Sequence, residues 1–381
     1  MIPSLEIGGG AEKNAYNLGL RLSEKYDIQY LKFYNFENEY DVGKKCYSHN
    51  EKHGKSWLTR IIFILKRLIF IKKVLDKYKP NLVISFGFYS NLFVSLVSLK
   101  RNYRVILSVR SNISRLNAFL RNLSSFLYNK MDATHAITKK MQETLISLGV
   151  KNTVLIYNGH NLKLYRSLAN EPLPTDISDD KYVYLNIGRL SYAKGQWHLL
   201  KSFSICAKKN PDAILIIIGE GELKKELESL IHSLDIKGRV FIFNNTSNIF
   251  PYIKRADCFC FTSIYEGLPN VLIETISMGT PIIATDCISG PREILFPELD
   301  VRRKIKYPHQ SGDLILTTPF PGLSADMSTN IQRLEKEYAA AMDSIRLKIS
   351  HNADQRHKAN IFSEDLIVRK WDQLIEKQNE L

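Results

Sequence analysis

Two carboxylates, two cations and a helix opened by proline carry the strongest chemical signal in this 381-residue sequence. The segment Glu266-Gly267-Leu268-Pro269-Asn270-Val271-Leu272-Ile273-Glu274 follows an apolar run that ends at Phe261 and begins a stretch with helical spacing. Pro269 suits the first turn of that helix, because it has no amide proton to lose and its φ is already helical. The helix then starts beside the carboxyl end of a strand, where backbone amides and the positive end of the dipole can hold a diphosphate. Glu266 falls in the loop before it. Glu274 falls in the first helical turns, where its carboxylate can accept both hydroxyls of a ribose. Upstream, Gly188-Arg189-Leu190 closes another apolar run and Lys194-Gly195 opens the next helical stretch, so a guanidinium and an ammonium are expected at the same sheet edge as Glu266. Together they can neutralise the two phosphates of a departing nucleoside diphosphate, a task that many nucleotide-sugar enzymes give to magnesium. Taken singly, each of these charges also reads as a solvated surface group, and Gly219-Glu220-Gly221 is a nonspecific strand-to-helix turn that permits close approach of a ligand.

The elements that must position these groups show in the alternation of apolar runs and helical spacing. In the second half, strands are expected at 182–187, 214–218, 240–243, 258–261 and 281–284, with helices near 194–209, 222–233, 249–255 and 270–278. That order predicts a doubly wound α/β domain. The first half alternates less cleanly, with strands expected near 28–33, 82–86, 105–109, 133–137 and 153–156, and predicts a second Rossmann-like domain. A polar stretch with Pro172, Pro174, Asp176, Asp179 and Asp180 reads as a linker. The division expected is a domain over 1–165, a linker over 166–181, a domain over 182–360 and a C-terminal helix over 361–381 that packs back on the N-terminal domain.

Bulk properties agree with two ordinary domains, since 381 residues exceed the size at which one core stops growing. Five cysteines with no CxxC pair suggest neither a disulfide framework nor a zinc site, and fit a reducing cytosol. Ser4, Glu6 and the Gly8-Gly9-Gly10 run interrupt any apolar leader, so no signal peptide is expected. The uncharged stretch 81–99 reads as a strand, a turn and a short helix rather than a membrane span. The net charge of +14 is polarised: residues 1–170 hold 27 Lys and Arg against 11 Asp and Glu, whereas 171–381 hold 26 against 28. One half should be drawn to an anionic surface. Nucleic acid is not the expected partner, because the basic residues lie mainly on the half without the phosphate-binding turns and no recognition motif accompanies them. Residues 52–79 concentrate nine Lys and Arg against Asp76, with Trp57, Phe63 and Phe70 among them. They read either as a crossover helix with lysine stems reaching to water, or as a surface that grips anionic membrane.

Residues 182–296 closely resemble the nucleotide-binding domain of family 4 glycosyltransferases. That family's pattern of Arg and Lys after the first strand, then Glu, seven residues and Glu, is matched by Arg189, Lys194, Glu266 and Glu274. Ser289-Gly290-Pro291-Arg292-Glu293-Ile294-Leu295 resembles the branch that builds bacterial lipopolysaccharide, capsule and other surface glycans. In the first half, Gly8-Gly9-Gly10-Ala11-Glu12 resembles the family's glycine loop, although relatives carry more apolar residues before it, so the first strand is expected to begin upstream of Met1.

The resemblance implies an α/β architecture of two Rossmann-like domains with parallel sheets facing across a cleft, the type B glycosyltransferase fold. It implies retaining transfer of a hexose or N-acetylhexosamine from a nucleotide-diphosphate sugar, with UDP as the nucleotide, to a lipid-linked or surface-glycan acceptor. It implies no metal and no cofactor, and a cytoplasmic place on the inner face of the cell membrane. Catalytic roles fall on Glu266, Arg189 and Lys194. Donor contacts fall on Gly9, Gly10, Gly188, Gly219, Gly267, Leu268, Pro269, Asn270 and Glu274, and the acceptor side on Arg110 and Asn112. Arg110 stands where many relatives place a His or an acidic residue, so no protein general base is expected there. His135, within an apolar strand, reads as core, and His160 as a weak catalytic candidate. A nucleotide-sugar epimerase on the same fold and a non-catalytic anionic-polymer-binding protein are the competing readings.

Overall fold

The computed structural model describes residues 10–35, 38–43, 46–48, 57–110, 113, 116–175, 177–322, 324–348 and 353–376; of residues 10, 11, 57–61, 353 and 354 only the backbone is described. The chain forms two compact units, one of residues Met1–Gly159 with Asp365–Leu381 and one of His160–Glu364. The stretch 160–181, expected partly in the first domain and partly as linker, therefore belongs to the second unit.

The first unit contains α1 (Gly10–Leu22), β1 (Tyr30–Lys32), β2 (Cys46–Ser48), α2 (Trp57–Tyr78), β3 (Leu82–Phe86), α3 (Phe88–Val97), β4 (Arg104–Val109), α4 (Ala118–Tyr128), β5 (Ala133–Ala136), α5 (Lys139–Ser147) and β6 (Thr153–Leu155). β3, β4, β5 and β6 pair in that order, all parallel, and β1 pairs with β2, also parallel. β4 is covered on both faces, which explains why Val105, Ile106 and Leu107 run without polar alternation. Asn117 and Thr138 cap α4 and α5 by accepting from the amides of Leu120 and Met141. β2, three half-buried residues, is too short to show a period, and the sequence reading passed over it. The strand expected before the glycine loop lies outside the described residues.

α2 is the crossover helix that residues 52–79 suggested, at least on its inward face. Leu68, Phe70, Ile71, Val74 and Leu75 pack with Leu31, Phe33 and Phe93. The Arg67 guanidinium lies over the rings of Phe33, Tyr34 and Phe93 at 5.1, 5.2 and 5.8 Å and donates to the Tyr34 hydroxyl at 2.6 Å. This basic residue is thus packed against aromatic faces. Among the described residues, no helix is long and apolar enough to cross a membrane.

The second unit begins with α6 (Leu162–Leu168) and continues through β7 (Tyr182–Ile187), α7 (Gln196–Lys209), β8 (Ala213–Ile218), α8 (Lys224–Ser233), β9 (Val240–Phe243), α9 (Phe250–Arg255), β10 (Cys258–Phe261), α10 (Asn270–Met278), β11 (Ile282–Thr285), α11 (Pro291–Leu295), β12 (His309–Ser311), β13 (Leu314–Thr317) and α12 (Arg333–Arg346). Its seven strands lie in the order β12-β13-β11-β10-β7-β8-β9, parallel except for β12. Every residue of β8 is buried, as its unbroken Ala-Ile-Leu-Ile-Ile-Ile requires. α7 opens two residues later than expected, because Tyr192–Lys194 forms a single 3-10 turn and Gly195 is left-handed. β12, β13 and α12 were not anticipated. α12 starts in a capping box between Gln332 and Glu335 and packs on α7, and Tyr338 within it donates to the Ile283 carbonyl at 2.9 Å.

The C-terminal helix α13 (Glu364–Glu376) packs in the first unit. Trp371, 2% exposed, sits edge-on to His135 with centroids 4.6 Å apart, Arg104 donates to the Ile375 carbonyl at 2.8 Å, and Lys25 pairs with Glu376. Replacing Trp371 with Ala removes the largest side chain of this helix from the core and should cost about 3–5 kcal/mol. Urea unfolding followed by far-UV circular dichroism should show the first unit's transition moving to lower denaturant; an unchanged midpoint would mean α13 contributes little.

Candidate active site

The chain leaves β7 to build β8 and β9 on one side, then returns to place β10 and β11 on the other. The strand order thus reverses between β7 and β10, and in open α/β sheets ligands sit outside the carboxyl ends of the strands at such a point. Backbone pairing of β7 with β10 joins Tyr184 to Cys258 and Leu185 to Phe259 and stops there. One step further, the buried Asn186 side chain takes over by donating to the Cys260 carbonyl at 2.7 Å. This amide, missed in the sequence reading, is visible as the one polar residue late in an apolar run.

Beyond the two strand ends, the loops are stitched together. The Ile264 amide donates to the Ala193 carbonyl at 2.9 Å, and the Thr262 hydroxyl to the Lys194 carbonyl at 3.1 Å. Across this seam Lys194 Nζ lies 2.5 Å from Glu266 Oε1, which also accepts from the Ser263 hydroxyl at 2.7 Å. Ser263 is a second residue the sequence reading missed. Arg189 leaves the end of β7 exposed to solvent, with its carbonyl held by Gln196 Nε2 at 3.0 Å. Lys194 and Glu266 meet at this sheet edge, and Arg189 follows the end of β7 in the same unit.

Gly188 and Gly219 serve this assembly by letting backbone approach backbone. A Cβ on Gly219 would lie 2.0 Å from the Gly188 carbonyl oxygen, so this glycine lets the two loops approach backbone to backbone. Gly267, Leu268 and Pro269 lead into α10, whose N-cap is Pro269 with no side-chain cap. Asn270 is its first residue. Gly290, at φ 98°, supports this turn from behind, since a Cβ there would meet Pro269 Cδ at 2.2 Å and the Gly267 carbonyl oxygen at 3.0 Å. The loop that carries Gly290 is itself anchored: Asp286 accepts from Arg292 Nε at 2.9 Å and from the Tyr307 hydroxyl at 2.6 Å. Glu274, 7% exposed, lies on α10; burial, and after it the charge of Glu274, raises the pKa of the Tyr165 phenol. Among the described residues, no three His, Cys, Asp or Glu side chains converge as a metal site.

In the first unit, Gly10 opens α1, whereas Gly9 and Asn112 lie outside the described residues. Arg110 follows β4, donates to Asn158 Oδ1 at 2.6 Å and stacks over Phe86 at 4.9 Å. Burial draws its pKa down to about 10, opposed by Glu12 in the first turn of α1, and it stays cationic at neutral pH. His135 is core, as expected. Its Nε2 donates to the Ile156 carbonyl at 2.7 Å, which leaves Nδ1 to accept from the Ser108 hydroxyl at 2.9 Å. His160, 3% exposed, belongs to the second unit, where Nδ1 lies 3.0 Å from the Tyr165 hydroxyl.

The fold and this sheet edge together define a glycosyltransferase of the two-Rossmann-domain, type B architecture. Residues 170–299 match the family model for glycosyl transferases group 1, and residues 8–164 match that for Glycosyltransferase Family 4. An uncharacterized glycosyltransferase of Methanocaldococcus jannaschii is 33% identical over 94% of this chain and 94% of its own length. The N-acetylgalactosamine-N,N'-diacetylbacillosaminyl-diphospho-undecaprenol 4-alpha-N-acetylgalactosaminyltransferase of Campylobacter jejuni is 29% identical over 75% of this chain and 80% of its own. Among solved structures, HepE of Anabaena in complex with UDP is similar in fold, with a TM-score of 0.74 at 17% identity, covering 100% of this chain and 99% of that one. This chain belongs to the family 4 glycosyltransferases, and is a glycosyltransferase whose relatives act in lipid-linked and surface-polysaccharide pathways.

Burial pushes the His135 imidazole from 6.5 down to about 3, so the native state holds it neutral. Below pH 6.5 the unfolded chain takes up a proton that the folded chain refuses, and stability falls as pH drops toward 3. By pH 4.5 this one group should remove roughly 2–3 kcal/mol. Urea midpoints at pH 7.5 and 4.5 for the wild type and His135→Asn should show a shallower decline in the variant. An NMR titration of the His135 ring between pH 8 and 5 would contradict the assignment.

Proposed function

We propose that the chain is a retaining, metal-independent transferase that moves a hexose or N-acetylhexosamine from a UDP-sugar to a lipid-linked or surface-glycan acceptor. The observation that carries this reading is the Lys194–Glu266 pair at the sheet edge where the strand order reverses. A diphosphate arriving at that edge offers Lys194 a second anion. Glu266, still held by Ser263, then becomes free to accept hydroxyls of the donor sugar. Glu274 takes the ribose hydroxyls, and the backbone at Gly267 to Asn270 meets the sugar or phosphate. Gly9, Gly10, Arg110 and Asn112 serve the phosphate and acceptor side in this scheme.

The bond from the anomeric carbon to the phosphate oxygen breaks toward the nucleotide, leaving an oxocarbenium-like sugar. The acceptor hydroxyl attacks on the face the phosphate has just left, and its proton passes to the leaving phosphate oxygen. Configuration is retained and no enzyme nucleophile is needed. Arg189 and Lys194 act on charge that grows as the bond breaks, which is stabilisation of the transition state over the bound substrate. The structurally similar HepE of Anabaena, known in complex with UDP, with UDP-glucose, and with UDP and glucose, supports a UDP-sugar donor. Free cysteines suit a cytoplasmic site of action.

Thermal-shift measurements with UDP-, GDP- and ADP-sugars, with and without EDTA, should show stabilisation by the UDP class that survives the chelator; a shift abolished by EDTA would overturn the metal-free reading. Arg189→Ala and Lys194→Ala should each lower kcat by roughly 10²–10³, by analogy with losing one oxyanion donor. A donor incubated alone should stay unisomerised, which separates transfer from epimerisation. The anomeric configuration of the product, read by NMR, tests retention.

A further inference from the structure

We propose that the segment joining β13 to α12 is a strap that holds Lys194 and Glu266 in register, and that Lys201 and Asp326 are positioning residues for sugar transfer. The proposal rests on the donor-facing roles given to Lys194 and Glu266. The anchors of the strap lie on the first half of α7. The Phe320 ring, 4% exposed, stacks on His198 with centroids 4.0 Å apart and planes 5° from parallel. His198 Nδ1 in turn lies 2.7 Å from Glu335 Oε1, in the capping box of α12. Nearly one turn on, the Lys201 side chain is wholly buried and its Nζ donates to Asp326 Oδ2 at 2.7 Å. His198 and Lys201 stand at i and i+3, on one face of the helix.

Between Phe320 and Asp326 the strap reaches the two loops that meet at the Lys194–Glu266 pair. A Cβ built on Gly322 would lie 3.2 Å from Ile264 Cγ2 and 3.7 Å from the Tyr192 hydroxyl oxygen, so the strap backbone lies against both loops. Tyr192 opens the 3-10 turn that ends at Lys194, and its ring stacks on Trp197 of α7 at 5.5 Å. Ile264 stands two residues before Glu266, and its amide is the one that binds the Ala193 carbonyl. Displacing the strap therefore shifts the backbone that carries the cation and the backbone that carries the carboxylate. A buried ion pair adds little net stability over apolar residues of similar volume. What Lys201 and Asp326 contribute here is placement, because the strap cannot move away without leaving a buried ammonium uncompensated.

Two variants of the full-length protein test this. Lys201→Met with Asp326→Leu removes both charges together and keeps the buried volume, so the fold should survive; Gly322→Val crowds Ile264 directly. Hydrogen–deuterium exchange, which needs no substrate, should quicken in both variants in peptides covering 189–195 and 262–268, with β8 and β9 unchanged. With whichever nucleotide sugar raises the wild-type melting temperature, kcat should fall about 10- to 100-fold, in line with a misplacement of about 1 Å, while the donor KM changes far less. In a Lys194→Ala background the same changes should lower kcat little further, because the strap acts through a residue already gone, whereas a loss of general stability would multiply. Unchanged exchange, unchanged kcat, or the full loss repeated on top of Lys194→Ala would overturn the proposal. A Lys194→Ala protein with wild-type kcat would instead remove the donor-facing role of that lysine, an outcome that the exchange measurement does not share.

Discussion

The second unit depends on a topological constraint: a parallel sheet that grows in both directions from β7 must part its loops between β7 and β10. Backbone pairing ends there, the Asn186 amide bridges one further step, and the loops beyond are left to find their own partners. They do so through Ile264, Thr262 and the Lys194–Glu266 pair. Two partly buried opposite charges hold each other in ordered positions, where either one alone would bear an uncompensated desolvation cost. The pair thus fixes the loops that leave β7 and β10 against each other.

Around this seam the glycines do structural work that a ligand-centred reading overlooks. Gly219 has no side chain because Gly188 presses against it, and Gly290 has none because the turn into α10 rests on it. The Asp286–Arg292–Tyr307 group steadies the loop that carries Gly290. Gly290 thus brings the loop after β11 against the start of α10, where the proposed donor contacts lie. The first unit is organised differently: its ionisable centre is withdrawn from water, with His135 neutral between two hydrogen bonds and Arg67 held by aromatic rings.

Much of the second unit was legible because buried parallel strands write themselves as unbroken apolar runs. β7, β9 and β10 have the expected bounds, and so does α10. The elements that escaped were short or edge-bound. β2 and β12 have three residues each, too few to show a period, and β13 lies beyond the segment whose resemblance guided the reading. The start of α7 was misplaced by two residues because the left-handed Gly195 is a conformational fact that spacing cannot register. The boundary between units came earlier than expected, since composition marks a polar stretch but not which core its helices join.

By itself the sequence determined the alternation of strands and helices, the uneven charge, and the chemical types delivered to the ends of β7 and β10, because burial period and residue chemistry are local properties. Only the tertiary structure decided that Lys194 meets Glu266, that Asn186 bridges to Cys260, that His135 is sealed neutral against Trp371, and which face of α2 packs against Phe33 and Phe93. Those outcomes rest on contacts between residues tens to hundreds of positions apart, and on the desolvation such contacts impose, neither of which any local pattern encodes.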